Sequence, residues 1–189
     1  MMEFLDILFY IINTLVFIFT VVVISSYLIL GFLSIYTLEK YVRDNKDVDY
    51  QSILQSPFAP SVSIIAPAYN EGLSIVDNAR SLLSLYYNNI EIIIVNDGSK
   101  DDSLEKMIDA YDMAKVDFYI QYKIGCQEIK GVYKSKNPSL KSLILVDKVN
   151  GGKADALNAG INISSKDLIG CIDVDCVLEA DSVLKMVKP

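Results

Sequence analysis

Hydrophobic positions fall along this chain in two regimes. From Ile7 to Leu38 they run without a single charged residue for 32 positions. As a continuous helix that stretch is about 48 Å long at 1.5 Å per residue, whereas the hydrocarbon core of a bilayer needs about 30 Å. One tilted spanning helix is therefore expected over 7–38, after a short N-terminal tail over 1–6. A signal peptide would want a basic leading flank, a shorter apolar core and a small-residue cleavage site. Here the leading flank carries Glu3 and Asp6, and the trailing flank carries Lys40, Arg43 and Lys46. Basic residues stay on the cytoplasmic side. The expected placement is the plasma (inner) membrane, single-pass, with the N-terminus outside and the soluble part cytoplasmic.

After a polar connector over 39–60, closed by Pro57 and Pro60, the pattern changes to short apolar runs alternating with helical periodicity. Strands are expected at Val62–Ala66, Glu91–Val95, Leu143–Val146 and Leu168–Ile172. Helices are expected over Leu73–Tyr86, Leu104–Tyr111, Lys153–Ile163 and from Asp181 to Val187. The strands are apolar almost throughout, as strands covered on both faces should be. In the helix over 153–163, Ala154, Leu157 and Ile161 are expected to pack, with Asp155, Asn158 and Asn162 on another face. The stretch 115–137 is less regular, and two short strands, Asp117–Tyr122 and Glu128–Lys134, are expected around Gly125. Repeated strand–helix alternation predicts an α/β domain over 61–189, a mostly parallel sheet flanked by helices.

Composition narrows the chemistry. The chain contains no His, which removes His general bases, Ser-His-Asp triads and His-containing zinc sites. All 17 basic residues follow the apolar span, against 22 of the 24 acidic ones, so the remainder carries a net charge of -5. That balance excludes a general nucleic-acid binder. Cys126, Cys171 and Cys176 show no C-x-x-C spacing and read as reduced, mostly packed thiols.

Ligands of open α/β sheets bind beyond the carboxyl ends of the strands. Those positions hold Ala68, Tyr69, Asn70 and Glu71 after the first strand, Asp97 after the second, and Asp173-Val174-Asp175 after the last. On extended chain, Asp173 and Asp175 point to one side while Val174 packs on the other. Two like charges about 4 Å apart repel by about 4 kcal/mol at an effective dielectric of 20, and a divalent cation reverses that sign. All-oxygen ligands favour Mg2+ or Mn2+, with water and a phosphorylated ligand filling the remaining positions. Asn150-Gly-Gly-Lys153 is not a Walker A loop, because Asp147 and Ala154 stand where that loop needs Gly and Ser or Thr. Its two glycines before a helix still bring backbone N–H groups near an anion, with Lys153 as a mobile charge. The tract from Gln121 to Lys141, with five lysines, reads as a solvated hairpin rather than a phosphate site.

Four motifs in order, Ala66-Pro-Ala-Tyr-Asn-Glu71, Val95-Asn-Asp-Gly-Ser-Lys-Asp101, Asn150-Gly-Gly-Lys-Ala-Asp-Ala-Leu-Asn-Ala-Gly160 and Asp173-Val-Asp175, resemble the family 2 glycosyltransferases. The likeness is to the N-terminal part of membrane-embedded processive polysaccharide synthases, such as those making poly-N-acetylglucosamine, hyaluronan, chitin or cellulose. The resemblance implies a GT-A-type, Rossmann-like fold and an inverting, metal-dependent transfer from a nucleoside-diphosphate sugar, a UDP-sugar. It implies that Ala68, Tyr69, Asn70 and Glu71 line the nucleotide pocket, with Glu71 near the ribose or base. Asp97 would accept from the uracil N–H, Lys153 would sit near the phosphates, Asp173 would contact the nucleotide end, and Asp175 would hold the metal.

The family's general base lies well after the D-x-D element, and its processive members carry a Q-x-x-R-W motif; this chain ends at Pro189 and has no Trp. The acceptor half is accordingly expected beyond Pro189 or on a complementary subunit, and the chain alone is expected to be inactive. The expected partners are the UDP-sugar donor, membrane lipids and a growing polysaccharide or lipid-linked acceptor. The alternatives are a non-processive transferase to a lipid carrier and a non-catalytic nucleotide-sugar-binding membrane component.

Overall fold

The computed structural model describes residues 2–45, 54, 56 and 58–187. It divides into two compact units, residues 1–49 and 50–189. In the first, helix α1 runs Met2–Asn45. It continues through Glu39, Lys40 and Arg43, so the start of the expected connector is helical. Residues Phe4–Arg43 reach a mean hydropathy of 2.7 in their most apolar window, long and apolar enough to cross a membrane. The expected roles of Lys46 and Pro57 lie outside the described residues.

The second unit is a six-stranded mixed sheet in the order β3-β4-β5-β2-β1-β6. Its strands are β1 Val62–Ala68, β2 Ile90–Asn96, β3 Met113–Val116, β4 Ile129–Ser135, β5 Leu143–Lys148 and β6 Leu168–Cys171. The pairings β5–β2, β2–β1 and β1–β6 are parallel, while β3–β4 and β4–β5 are antiparallel. Helices α2 Ile75–Leu83, α3 Ser103–Ala110, α4 Lys153–Ile163 and α5 Ser182–Met186 flank it. The mostly parallel α/β arrangement expected from the alternation is the one observed.

The period-two alternation of the strands divides the core. Ile64, Ala66, Ile92, Ile94, Leu143 and Leu145 face a layer that includes Ala79, Leu82, Met107, Val183 and Leu184 from α2, α3 and α5. Ile65, Ile93, Val95, Ile144 and Val146 face α4. The α4 packing stripe differs from the expected one: Ala156, Ala159, Gly160 and Ile163 are buried, and Ala154 is exposed. Small residues are needed because the helix lies very close to β1. A Cβ on Gly160 would stand 2.3 Å from Ile65 Cγ2. Leu157 and Ile161 are only partly buried.

Residues 117–122 are not a strand; the pairing strand comes earlier, at Met113–Val116. Their alternation has another origin. Phe118, Ile120 and Cys126 pack against the α4 layer while Tyr119 and Tyr122 stay exposed. The polar face of α4 ties this connection down through side chains. Asn162 Oδ1 accepts from the N–H groups of Lys123 (2.9 Å) and Ile124 (3.0 Å), Asn158 Nδ2 donates to Gly125 O (3.0 Å), and Asp155 accepts from Gln127 N (3.0 Å). Within the lysine tract, Lys136 pairs with Asp112 and Lys134 lies over the Phe118 ring.

The three cysteines are free, but Cys171 and Cys176 are exposed rather than packed. Cys171 ends β6, an edge strand whose Leu168 and Ile169 are also exposed.

Candidate functional site

The carboxyl ends of the four mutually parallel strands β5, β2, β1 and β6 lie on one rim, and the loops leaving the first three of them form a cavity of about 420 Å³. Pro67, Ala68, Tyr69, Glu71, Asp97, Asn150, Gly152 and Lys153 line it. Five of the expected site residues are thus brought together: Ala68, Tyr69, Glu71, Asp97 and Lys153. The volume is that of an ordinary small-ligand site.

The loop after β1 is held by side chains from the loop after β2. Asn70 has φ 56°, a left-handed conformation that Asn tolerates better than most residues. Its N–H donates to Ser99 Oγ (3.0 Å) and its Oδ1 accepts from Lys100 N (2.8 Å). Asn70 therefore joins two loops instead of lining the cavity. Asp101 does similar work, with Oδ2 accepting from Gly72 N (2.9 Å) and Oδ1 from Ser103 N and Oγ. The Ser103 hydroxyl is the main reason its carboxyl stays below the usual range. Asp101 and Asp102 stand at the N-terminus of α3, where their charge suits the helix dipole. Glu71 Oε2 accepts from Ser74 Oγ (3.1 Å) at the entry to α2.

Asp97 joins the two walls of the cavity. It is 3% exposed. Its N–H donates to Ala68 O (2.9 Å), and its carbonyl accepts from Asn150 Nδ2 (2.7 Å). Its carboxylate accepts from Gly151 N (3.0 Å) and Lys148 Nζ (2.6 Å) on Oδ1, and from Gly152 N (2.7 Å) on Oδ2. Lys148 is fully buried and also donates to Asp155 Oδ2 (2.6 Å) and Val149 O (2.6 Å). Burial pulls the Lys148 ammonium down, but the hydrogen bonds it donates to Asp155 and Asp97 outweigh it and the net shift is upward. Burial pushes the Asp155 carboxyl up, but Lys148 and the Gln127 N–H carry it below its usual range.

Lys148 was absent from the residues singled out in the sequence. The signal existed in the register. Asn96 pairs with Asp147 across β2 and β5, which makes Asp97 and Lys148 the next positions, both on the α4 side. Without that pairing, a lysine after an apolar strand reads as a solvated end.

Asp173 and Asp175 lie on a turn beyond β6, closed by Cys176 N to Asp173 O (3.0 Å), rather than on extended chain. Val174 is buried, as expected, and both carboxylates are exposed. One ligand atom each from Asp173, Asp175 and Cys176 lies within 4.8 Å of the others. Neither carboxylate lines the cavity at the strand ends. The link is Lys153, which lines that cavity and forms an ion pair with Asp173, both side chains being at least half exposed. The hydrogen bond it donates to Asp173 is the leading reason the Lys153 ammonium is shifted upward. Two exposed carboxylates suit a hard divalent cation completed by water and phosphate oxygens, so these residues fit Mg2+ or Mn2+.

Residues 63–122 and 128–189 match the family described as Glycosyl transferase family 2. The chain belongs to that family. It is 34% identical over 127 residues to a poly-beta-1,6-N-acetyl-D-glucosamine synthase of Staphylococcus epidermidis, and 31% identical over 128 residues to one of Staphylococcus aureus. Each match covers 67% of this chain and 24% of the relative, so the shared part is about a quarter of those proteins. A solved structure of the mannosyltransferase PcManGT from Pyrobaculum calidifontis, in complex with GDP-Man and Mn2+, shares the fold at a TM-score of 0.51. Its identity is 21%, over 73% of this chain and 36% of that one.

Proposed function

We propose that this chain is the donor-binding part of an inverting, metal-dependent membrane glycosyltransferase that uses a UDP-sugar for polysaccharide synthesis. The observation that carries the reading is the cavity at the strand ends, lined by a buried carboxylate, Asp97, and an exposed cation, Lys153, which pairs in turn with Asp173 of the Asp173–Asp175 pair. A nucleoside-diphosphate sugar has the matching order of groups: a base with N–H donors, a ribose, and a diphosphate that needs positive charge.

In this reading Tyr69, with 45% of its surface exposed, offers an aromatic face to the nucleoside beside Ala68 and Glu71. Asn70 holds that loop in place. Asp97 accepts from the base, and Lys153 leaves Asp173 for a phosphate oxygen. Asp175, with Asp173, would hold Mg2+ or Mn2+, which would supply Lewis-acid stabilisation of the departing diphosphate. Inversion requires a carboxylate to take the proton from the attacking hydroxyl, and we assign that base and the acceptor site to no residue of this chain. Helix α1 crosses the plasma membrane with the domain on the cytoplasmic side, close to a growing polysaccharide or lipid-linked acceptor.

Calorimetry of the chain in detergent with UDP, with and without Mn2+, tests the reading. The expected result is metal-linked binding that weakens at least about tenfold in Asp175→Asn, about 1.4 kcal/mol. Binding that ignores both Mn2+ and Asp175 would reject the metal assignment, and no binding of UDP would reject the donor site.

A further inference from the structure

Among the described residues Lys148 is the largest fully buried side chain, and it is a charged one. An ammonium has three donors, and all three are used, on Asp97, Asp155 and Val149 O. A carboxylate has about four acceptor positions, and in Asp97 three are filled, two on Oδ1 and one on Oδ2. One position on Oδ2 remains, on a residue that lines the cavity. The buried cluster of Lys148, Asp97 and Asp155 carries a net charge of -1. Such a charge favours an N–H donor over an anion.

Resting on the UDP reading above, we propose that Lys148 is a positioning residue for base selection: its buried ammonium fixes the Asp97 carboxylate so that the last acceptor position on Oδ2 receives a base N–H. Uracil presents a donor N–H at its N3, whereas cytosine presents a lone pair there, which the carboxylate repels. Lys148 does not touch the base. It acts by denying Asp97 any other orientation, with Asp155 holding the far side of the ammonium and Gln127 N holding Asp155.

Removing Lys148 alone would leave two carboxylates facing each other inside the protein, and the chain would be at risk of not folding. The test therefore uses Lys148→Met together with Asp155→Asn, which keeps the cluster at a net charge of -1 and retains an acceptor for Gln127 N. UDP and CDP affinities are measured with Mn2+ on the full chain, alongside thermal melts. The wild type is expected to prefer UDP by about tenfold or more, the range of one lost hydrogen bond plus an unpaired buried group. The double variant is expected to melt cooperatively and to fall below about a threefold preference. If Lys148 only balances charge, the compensated double variant will keep the wild-type ratio, and the inference is overturned. It is overturned equally if the double variant does not melt cooperatively, since Lys148 is then a folding element alone. A wild type that binds neither nucleotide defeats the donor-site reading itself, a different outcome from either.

Discussion

Lys148 Nζ lies 2.6 Å from Asp97 Oδ1, with the two side chains 0% and 4% exposed, at the point where the loops after β1, β2 and β5 meet. A buried ion pair is weak evidence for stability, because desolvation offsets much of the attraction. Its consequence here is geometric. The same carboxylate that holds the ammonium also holds the amides of Gly151 and Gly152, so the β5–α4 loop has one position available to it.

That network gives the domain a stability window in pH. The Asp155 carboxyl is lowered on folding, so its contribution is present above the ordinary carboxylate value and disappears as pH falls through the lowered one. The Lys148 ammonium is raised, so its contribution is present below the ordinary lysine value and disappears as pH rises through the raised one. Denaturant melts across pH should show a plateau from about pH 4 to about pH 10. In Asp155→Asn the acid limb should be shallower than in the wild type. An identical acid limb in that variant would contradict the network.

Gly160 of α4 packs directly on Ile65 of β1, with no room for a Cβ. Gly160→Ala should destabilise the domain by about 1–3 kcal/mol, since the added methyl meets Ile65 and the backbone must shift. Gly125→Ala, where a Cβ meets nothing within 4 Å, should stay within about 0.5 kcal/mol. Urea titration of both variants checks the contrast.

Asp101 ties the cavity loop to α3 through Gly72 N and Ser103. Asp101→Ala should cost about 1–2 kcal/mol through the lost bonds from Ser103 and the orphaned Gly72 N–H. It should also weaken UDP binding, because Tyr69 and Glu71 lose their fixed loop. A variant that is less stable yet binds UDP unchanged would separate the loop from the site.

Lys153 and Asp173 form an exposed pair, and such pairs add little to stability. Lys153→Ala should melt within about one or two degrees of the wild type. Its affinity for UDP should fall about fivefold or more while that for uridine stays unchanged, since only the former carries phosphate. Equal losses for both would place Lys153 on the nucleoside instead.

How much of this was readable in the sequence depended on the length scale of the signal. The strand runs at Val62, Glu91 and Leu143 were legible because continuous apolar residues on both faces of a covered strand have few other meanings. Helix α4 was placed with its observed ends, but its buried stripe was misassigned. Ala154, Leu157 and Ile161 look more hydrophobic as a set than Ala156, Ala159 and Gly160, yet the close approach to Ile65 demands the smaller residues. The 117–122 segment alternates as a strand does, but Phe118 and Ile120 pack on the α4 layer and the backbone just beyond, at 123–127, bonds to α4 side chains; no local pattern distinguishes this from a strand. The motif residues Ala68, Tyr69, Glu71, Asp97 and Lys153 were legible as a cavity because each ends or follows a parallel strand or opens the helix after one. Lys148 was not, since its role depends on register between strands about 50 residues apart in the chain.

The central claim is that one nucleotide reaches from Asp97 to the Asp173–Asp175 turn. Crystals of the chain grown with UDP and Mn2+ test it directly through the manganese anomalous signal and the ligand density. The account predicts a manganese peak against Asp175 on the diphosphate, with the uracil N3–H on Asp97 Oδ2 and Lys153 moved from Asp173 to a phosphate. A nucleotide lying elsewhere, or a manganese ion away from Asp175, would contradict it.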